Sequence, residues 1–148
     1  MVKMFYTDVE TNVTSETKIF QKGNWINMIN PTTDEIELIC EAVNIESDFI
    51  KYSLDAEEKA RIDVEDDGTI LFIIDVPIAE DDGSNVIYST MPVGVIFVRD
   101  DYFITVALKE NQLLTRMEQL VKKSLATYKK SQFLFQIFYE NASMFLNM

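Results

Sequence analysis

Hydrophobic and polar positions alternate along the first thirty residues and then change to a helical spacing. Met4–Thr7, Val13–Phe20 and Asn24–Ile29 read as short strands. In the third, Trp25, Asn27 and Ile29 point to one face of a sheet, while Ile26 and Met28 point to the other. Pro31 ends that strand. Thr32 followed by Glu35 forms a capping box, and Ile36, Ile39, Cys40 and Val43 recur at the spacing of one helical face, with Glu35, Glu37 and Glu41 outside it. A second short helix is predicted over Glu46–Leu54, burying Phe49, Ile50 and Leu54.

The middle of the chain returns to strands. Ala60–Glu65 alternates Ile62 and Val64 with Arg61, Asp63 and Glu65, and Asp66-Asp67-Gly68 supplies a turn. Thr69–Ile74 is nearly all apolar, as in a strand covered on both faces. Asp81–Asn85 reads as a turn or loop, followed by strands at Val86–Tyr88, Met91–Val98 and Tyr102–Ala107. Arg99-Asp100-Asp101 makes the last two a hairpin.

From Asn111 to Met148 the pattern is helical. Leu113, Leu114, Met117, Leu120, Val121, Leu125 and Tyr128 mark an amphipathic stretch, with Lys122, Lys123, Lys129 and Lys130 at its far end, where cations suit the helix dipole. Phe133–Tyr139 and Met144–Leu146 then place apolar groups around nearly the whole circumference, so this helix needs partners on more than one side. With no Gly or Pro stop signal after it, it is expected to continue. The predicted fold is α/β in the α+β sense. A mixed, largely antiparallel sheet is covered by helices in an αβα arrangement, and a long helix ends the chain.

Composition narrows the function more than the fold. The length of 148 residues suits a single domain over residues 1–148, large enough to bury a core. Thirteen Lys and Arg against 25 Asp and Glu leave a net charge of −12, which repels nucleic-acid backbones and favours cations as partners. There is no His, and the single Cys40 lies on the apolar side of a helix, as a core residue of a reduced, cytosolic protein would. No positively charged stretch followed by an apolar one reads as a leader peptide, and no apolar run approaches the roughly 20 residues of a membrane span.

Catalytic signatures are missing as well. The four glycines form no phosphate-binding loop, and no Ser or Cys can pair with a His. The reading is therefore not an enzyme, and no cofactor is required. Three acidic runs invite consideration as cation sites: Asp55-Glu57-Glu58, Asp63-Glu65-Asp66-Asp67 and Glu80-Asp81-Asp82. None has the spacing of a calcium loop, and each alone reads more readily as a solvated turn.

Several segments in order resemble the CorA-like magnesium transporters. They are Trp25-Ile26-Asn27-Met28 with Pro31-Thr32 opening an acidic helix, Leu54-Asp55 before Glu57–Ile62, Ile70–Ile74, and the hairpin from Thr90 through Val98 to Phe103–Val106. Ala60 departs from the pattern, standing where that family commonly has proline. The resemblance runs from about Trp25 to the end and implies an amino-terminal domain on the cytosolic side of the cell membrane. In that family such domains assemble as a homo-pentamer, and the membrane is met only through later helices carrying a Gly-Met-Asn signature. Residues 111–148 would then lead toward a stalk helix, and this fragment would be soluble and would not transport by itself. The resemblance further implies that Mg2+ or another divalent cation acts as a regulatory ligand between subunits. Glu80, Asp81 and Asp82 are the nearest counterparts of the family's interface carboxylate, its partner lying on the stalk helix. The alternatives are a stand-alone acidic interaction module using Phe133–Leu146, and an enzyme built from carboxylates.

Overall fold

In the computed structural model, which describes Met1–Met148, seven strands form one sheet between two pairs of helices. In chain order they are β1 (Val2–Thr7), β2 (Thr14–Thr17), β3 (Trp25–Ile29), α1 (Thr33–Val43), α2 (Ser47–Ser53), β4 (Arg61–Val64), β5 (Ile70–Asp81), β6 (Val86–Val98), β7 (Tyr102–Ala107), α3 (Gln112–Lys123) and α4 (Lys130–Leu146). The sheet order is β2-β1-β3-β7-β6-β5-β4, antiparallel throughout except where β3 lies parallel to β7. This is the mixed αβα architecture predicted from the pattern.

Strand alternation sorts side chains into two cores. Trp25, Ile29, Val76, Val93, Val95 and Phe103 pack against Leu113, Met117, Phe133 and Ile137 of α3 and α4. Ile26, Met28, Leu71, Ile73, Ile96 and Ile104 pack against Ile36, Ile39, Val43 and Ile50 of α1 and α2. Cys40 belongs to that second core, and burial raises its thiol pKa, as expected of a structural cysteine. The capping box of α1 is present, with the Thr32 hydroxyl accepting from the Glu35 amide at 3.1 Å and the Glu35 carboxylate accepting from the Thr32 amide at 2.9 Å.

The parallel seam between β3 and β7 carries a buried polar chain. Trp25 Nε1 donates to Thr105 Oγ1 at 2.9 Å, and that hydroxyl donates to Asn27 Oδ1 at 2.8 Å. Asn27 Nδ2 continues to Glu118 Oε1 at 3.2 Å, and Lys3 Nζ meets the other Glu118 oxygen at 3.5 Å. The indole also stacks on Phe5, centroids 5.1 Å apart, and meets the ring of Phe133 edge-on at 5.0 Å.

Four expectations change on contact with the structure. The strand read over Val13–Phe20 shortens to Thr14–Thr17, and Phe20 instead packs beside the α1–α2 core. Beyond Ile74 the apolar strand runs on to Asp81, pairing residue by residue with a β6 that is continuous from Val86. The helical segment after Asn111 is two helices, broken over Ser124–Lys129. There the Thr7 amide donates to Thr127 Oγ1 at 2.9 Å and the Thr127 amide to Thr7 Oγ1 at 3.0 Å, pinning the break to β1. Lys122 and Lys123 do end α3, but Lys129 and Lys130 begin α4, at the end where the dipole disfavours them; Lys130 faces Asp100 at 3.7 Å.

Gly94 is a close approach between layers. A Cβ there would stand 1.8 Å from Ser53 Oγ and 2.4 Å from Ser53 Cβ, so α2 rests directly on the β6 backbone. Gly94→Ala is expected to lower stability by about 1–3 kcal/mol through overpacking, measured by urea unfolding. Thr105→Val should cost about 1–3 kcal/mol by leaving the Trp25 indole N–H without an acceptor, seen as a lower unfolding midpoint together with a shifted tryptophan emission.

Candidate functional site

β5 and β6 pair over their full lengths, from Ile70↔Phe97 to Asp81↔Val86. Their flanking strands are shorter, because β4 covers only Ile70–Ile73 and β7 only Val93–Val98. Asp75–Asp81 and Val86–Pro92 therefore form a two-stranded arm beyond the sheet. A lone hairpin is marginal in water, and α4 supports this one. Asn141 Nδ2 donates to the Asp75 carbonyl at 3.0 Å, and Ile78 and Met144 adjoin the α3–α4 core. Toward its end the arm is exposed, including Val86, Ile87 and Tyr88.

The three acidic residues singled out in the sequence sit at the end of this arm, but their side chains do not converge. Glu80 shares the α3–α4 face with Val76 and Ile78, and the pleat sends Asp81 to the opposite face. Glu80 Oε1 accepts from Lys109 Nζ at 2.5 Å, in a cleft of about 620 Å3 that Tyr88, Glu110, Glu140 and Met144 also line. Asp81 Oδ1 accepts from the Gly83 amide at 2.9 Å. Asp82 Oδ1 accepts from the amides of Asn85 at 2.8 Å and Ser84 at 3.1 Å and from the Ser84 hydroxyl at 3.3 Å. The Asn85 and Ser84 amides hold the Asp82 carboxyl below its ordinary pKa. No group of three Asp, Glu, Cys or His residues is placed to hold a metal ion within the chain.

The other acidic runs are also spoken for in part. Asp55 Oδ1 caps the Glu57 amide at 3.0 Å, and Glu58 forms an ion pair with Arg61. Arg61 also meets Asp63 at 3.0 Å, while Arg99 meets Asp67 at 3.1 Å and donates to the carbonyls of Val43 and Asn44. Asp67 lies below its usual pKa, chiefly through the Thr69 amide. These last residues border a second cleft, of about 620 Å3, between α2 and β4. Lys109 was not visible as a site residue in the sequence. It follows β7, its partner lies 29 residues earlier, and no spacing rule connects them.

A family model described as CorA-like Mg2+ transporter protein matches residues 20–148. The chain belongs to that family. Among solved structures, the complete CorA magnesium transporter of Methanocaldococcus jannaschii aligns with a TM-score of 0.78 at 18% identity, covering 99% of this chain and 47% of that one. The soluble domain of CorA from the same organism aligns at 0.73 and 16% identity, covering 99% and 59%. The ZntB cytoplasmic domain of Vibrio parahaemolyticus RIMD 2210633 aligns at 0.69 and 13% identity, covering 98% and 60%. No curated protein matches the sequence. At such identities the likeness is one of fold, and the chain spans roughly half to three-fifths of the CorA-like chains it matches. No helix here is long and apolar enough to cross a membrane.

The turn geometry makes its own prediction. Because the folded pKa of Asp82 is lowered, its contribution to the turn is complete above the unfolded pKa and is lost as pH falls through the lowered one. Asp82→Ala should move the Ser84 and Asn85 amide resonances toward random-coil positions at neutral pH. Acidification should do the same in the parent chain, and the substitution should leave the global unfolding midpoint unchanged.

Proposed function

We propose that this chain is the cation-sensing regulatory domain of a CorA-like divalent-ion transporter, on the cytosolic side of the membrane. In this reading Glu80, Asp81 and Asp82 supply part of a site for Mg2+ or a related ion such as Co2+, and a neighbouring subunit of a homo-pentamer supplies the rest. The observation that carries it is the arm. It holds three carboxylates at an exposed end, with too few converging oxygens for a site closed within one chain.

Hard cations take oxygen ligands, and Mg2+ keeps several waters, so one or two carboxylates per subunit suffice. Without the ion, facing carboxylates repel across the interface; with it, the repulsion becomes attraction. A cation that binds the assembled state better than the separated one shifts the equilibrium toward it, as gating requires. The net charge of −12 makes such assembly costly without counter-ions.

One observation favours a second reading, a protein-interaction module. α4 leaves Phe135 67% and Leu146 85% exposed, with Phe138 and Tyr139 beside them. Mg2+ titration separates the two. Under the first reading, millimolar Mg2+ raises the thermal midpoint or the sedimentation coefficient of the chain, and Glu80→Gln with Asp81→Asn removes the response. Self-association that ignores Mg2+ and disappears with Phe135→Ser and Leu146→Ser would support the second reading and count against the first.

A further inference from the structure

A strand edge with free amides and carbonyls is a template for another chain unless charge, proline or a covering element blocks it. The end strands of this sheet are short and charged, with Glu16 in β2 and Arg61 and Asp63 in β4. The arm adds two more edges, because β4 covers β5 only to Ile73 and β7 covers β6 only from Val93.

Hydrogen-bond direction tells the two arm edges apart. In an antiparallel pair a residue turns its N–H and C=O to the same neighbour, and the next residue turns them to the other. The Thr69 carbonyl accepts from the Glu65 amide at 2.8 Å on the β4 side, so Asp75, Pro77, Ala79 and Asp81 face the open side of β5. That edge is blunted. Asn141 Nδ2 takes the Asp75 carbonyl at 3.0 Å, and Pro77 has no N–H.

The β6 edge is different. On β7 the Phe103 amide donates to the Asn24 carbonyl at 3.0 Å and the Ala107 carbonyl accepts from Asn30 at 2.9 Å, both toward β3. Ile104 and Val106 therefore bond toward their partners Ile96 and Gly94 on β6. The register stays unbroken to Val86, so Pro92, Thr90, Tyr88 and Val86 turn their backbone groups to the open side. Pro92 lacks an N–H, but beyond it no strand pairs with that side, and Val86–Thr90 is exposed throughout. No charge guards it, since Val86–Val98 contains no Asp, Glu, Lys or Arg.

The chemistry of a strand that fits follows from the two faces. Residues bonded to Val86, Tyr88 and Thr90 place their side chains beside the half-exposed Val86 and Tyr88, which suits apolar groups. The alternate residues point to the α3–α4 side, where the cleft is lined by Glu80, Glu110 and Glu140. On the arm and the segment after β7, Asp75, Glu80, Asp81, Asp82 and Glu110 stand against Lys109 alone, which pairs with Glu80. A second copy of this chain would bring the same carboxylates and be repelled by them.

We propose that the β6 edge from Val86 to Thr90 takes an extended basic peptide as an added strand, its apolar residues beside Val86 and Tyr88 and its alternate Lys or Arg residues directed at Glu80 and Glu110. This partner is additional to the cation reading of the arm and does not depend on it.

The probe is a short synthetic peptide alternating lysine and valine, with blocked ends, titrated into the isotope-labelled whole chain. Amide shifts should concentrate at Val86–Thr90, the Tyr88 and Thr90 amides should become protected from hydrogen exchange, and affinity should fall as salt rises. N-methylation of the valine amides keeps the charge but removes the bonds toward β6, and should weaken binding about tenfold or more. Tyr88→Pro should do the same and leave the β5–β6 ladder intact, because the N–H it removes faces away from β5. Glu110→Lys should weaken binding severalfold. Equal binding of the methylated peptide, binding indifferent to Tyr88→Pro or to Glu110→Lys, or shifts that lie elsewhere would each overturn the proposal. Protection of Tyr88 and Thr90 that rises with chain concentration in the absence of peptide would assign the edge to a second copy and overturn it as well.

Discussion

The rest of the structure depends on the parallel pairing of β3 with β7. Each half of the sheet is made of antiparallel neighbours, which short turns could assemble locally. The junction between them joins Trp25–Ile29 to Phe103–Ala107, with both helices of one layer and three strands lying between in sequence. Such a contact must repay a long loop closure before it stabilises anything. The payload concentrated there is correspondingly large: an indole buried between Phe5 and Phe133, and a hydrogen-bonded chain from Trp25 through Thr105 and Asn27 to Glu118. Every buried polar atom of that chain has a partner, so the seam gains specificity without an orphaned donor.

With the seam closed, the positions of the other elements follow. Both α1 and α2 lie in the crossover from β3 toward the far half, so they cover one face; α3 and α4 leave β7 and cover the other. The reciprocal bonds between Thr7 and Thr127 tie the break between α3 and α4 to the first strand, which directs α4 along the β5–β6 arm. The arm extends because β4 and β7 stop short, and its distal acidic end is exposed because α4 flanks one face only and no further strand or helix covers the other.

Much of this was legible in the sequence wherever a single period dominates. The alternation through Trp25–Ile29 assigned both faces correctly, and the spacing of Ile36, Ile39, Cys40 and Val43 with the Thr32–Glu35 cap located α1. Legibility fell where pairing, not patterning, decides the outcome. Nothing in Asp75–Asp81 alternates cleanly, because the arm has helix on one side only and its strand character comes from β6 opposite. β4 misleads in the other direction. Its apolar residues Ile62 and Val64 are 64% and 69% exposed, while Arg61 and Asp63 face the α2 side. The break at Ser124 was hidden because Thr127 is held by Thr7 of β1, a contact between residues 120 apart in sequence.

The acidic residues show the same limit at the level of chemistry. Adjacent carboxylates in sequence look like a cluster, yet in a strand they diverge and in a turn they fold back on their own amides. Asp82 has its oxygen filled by Ser84 and Asn85, and Glu80 by Lys109, so neither is a free ligand in the isolated chain. A carboxylate held by local amides keeps its charge at low pH but must surrender those bonds to bind an ion directly. Glu80 differs, because its partner is a flexible, half-exposed lysine, and exposed pairs of this kind contribute at most about 1 kcal/mol. Of the three, Glu80 is the one a competing cation could take over at least cost. Glu65 and Asp66, which read in the sequence as part of a solvated turn, make no ion pair in the fold, while Asp63 and Asp67 of the same run meet Arg61 and Arg99.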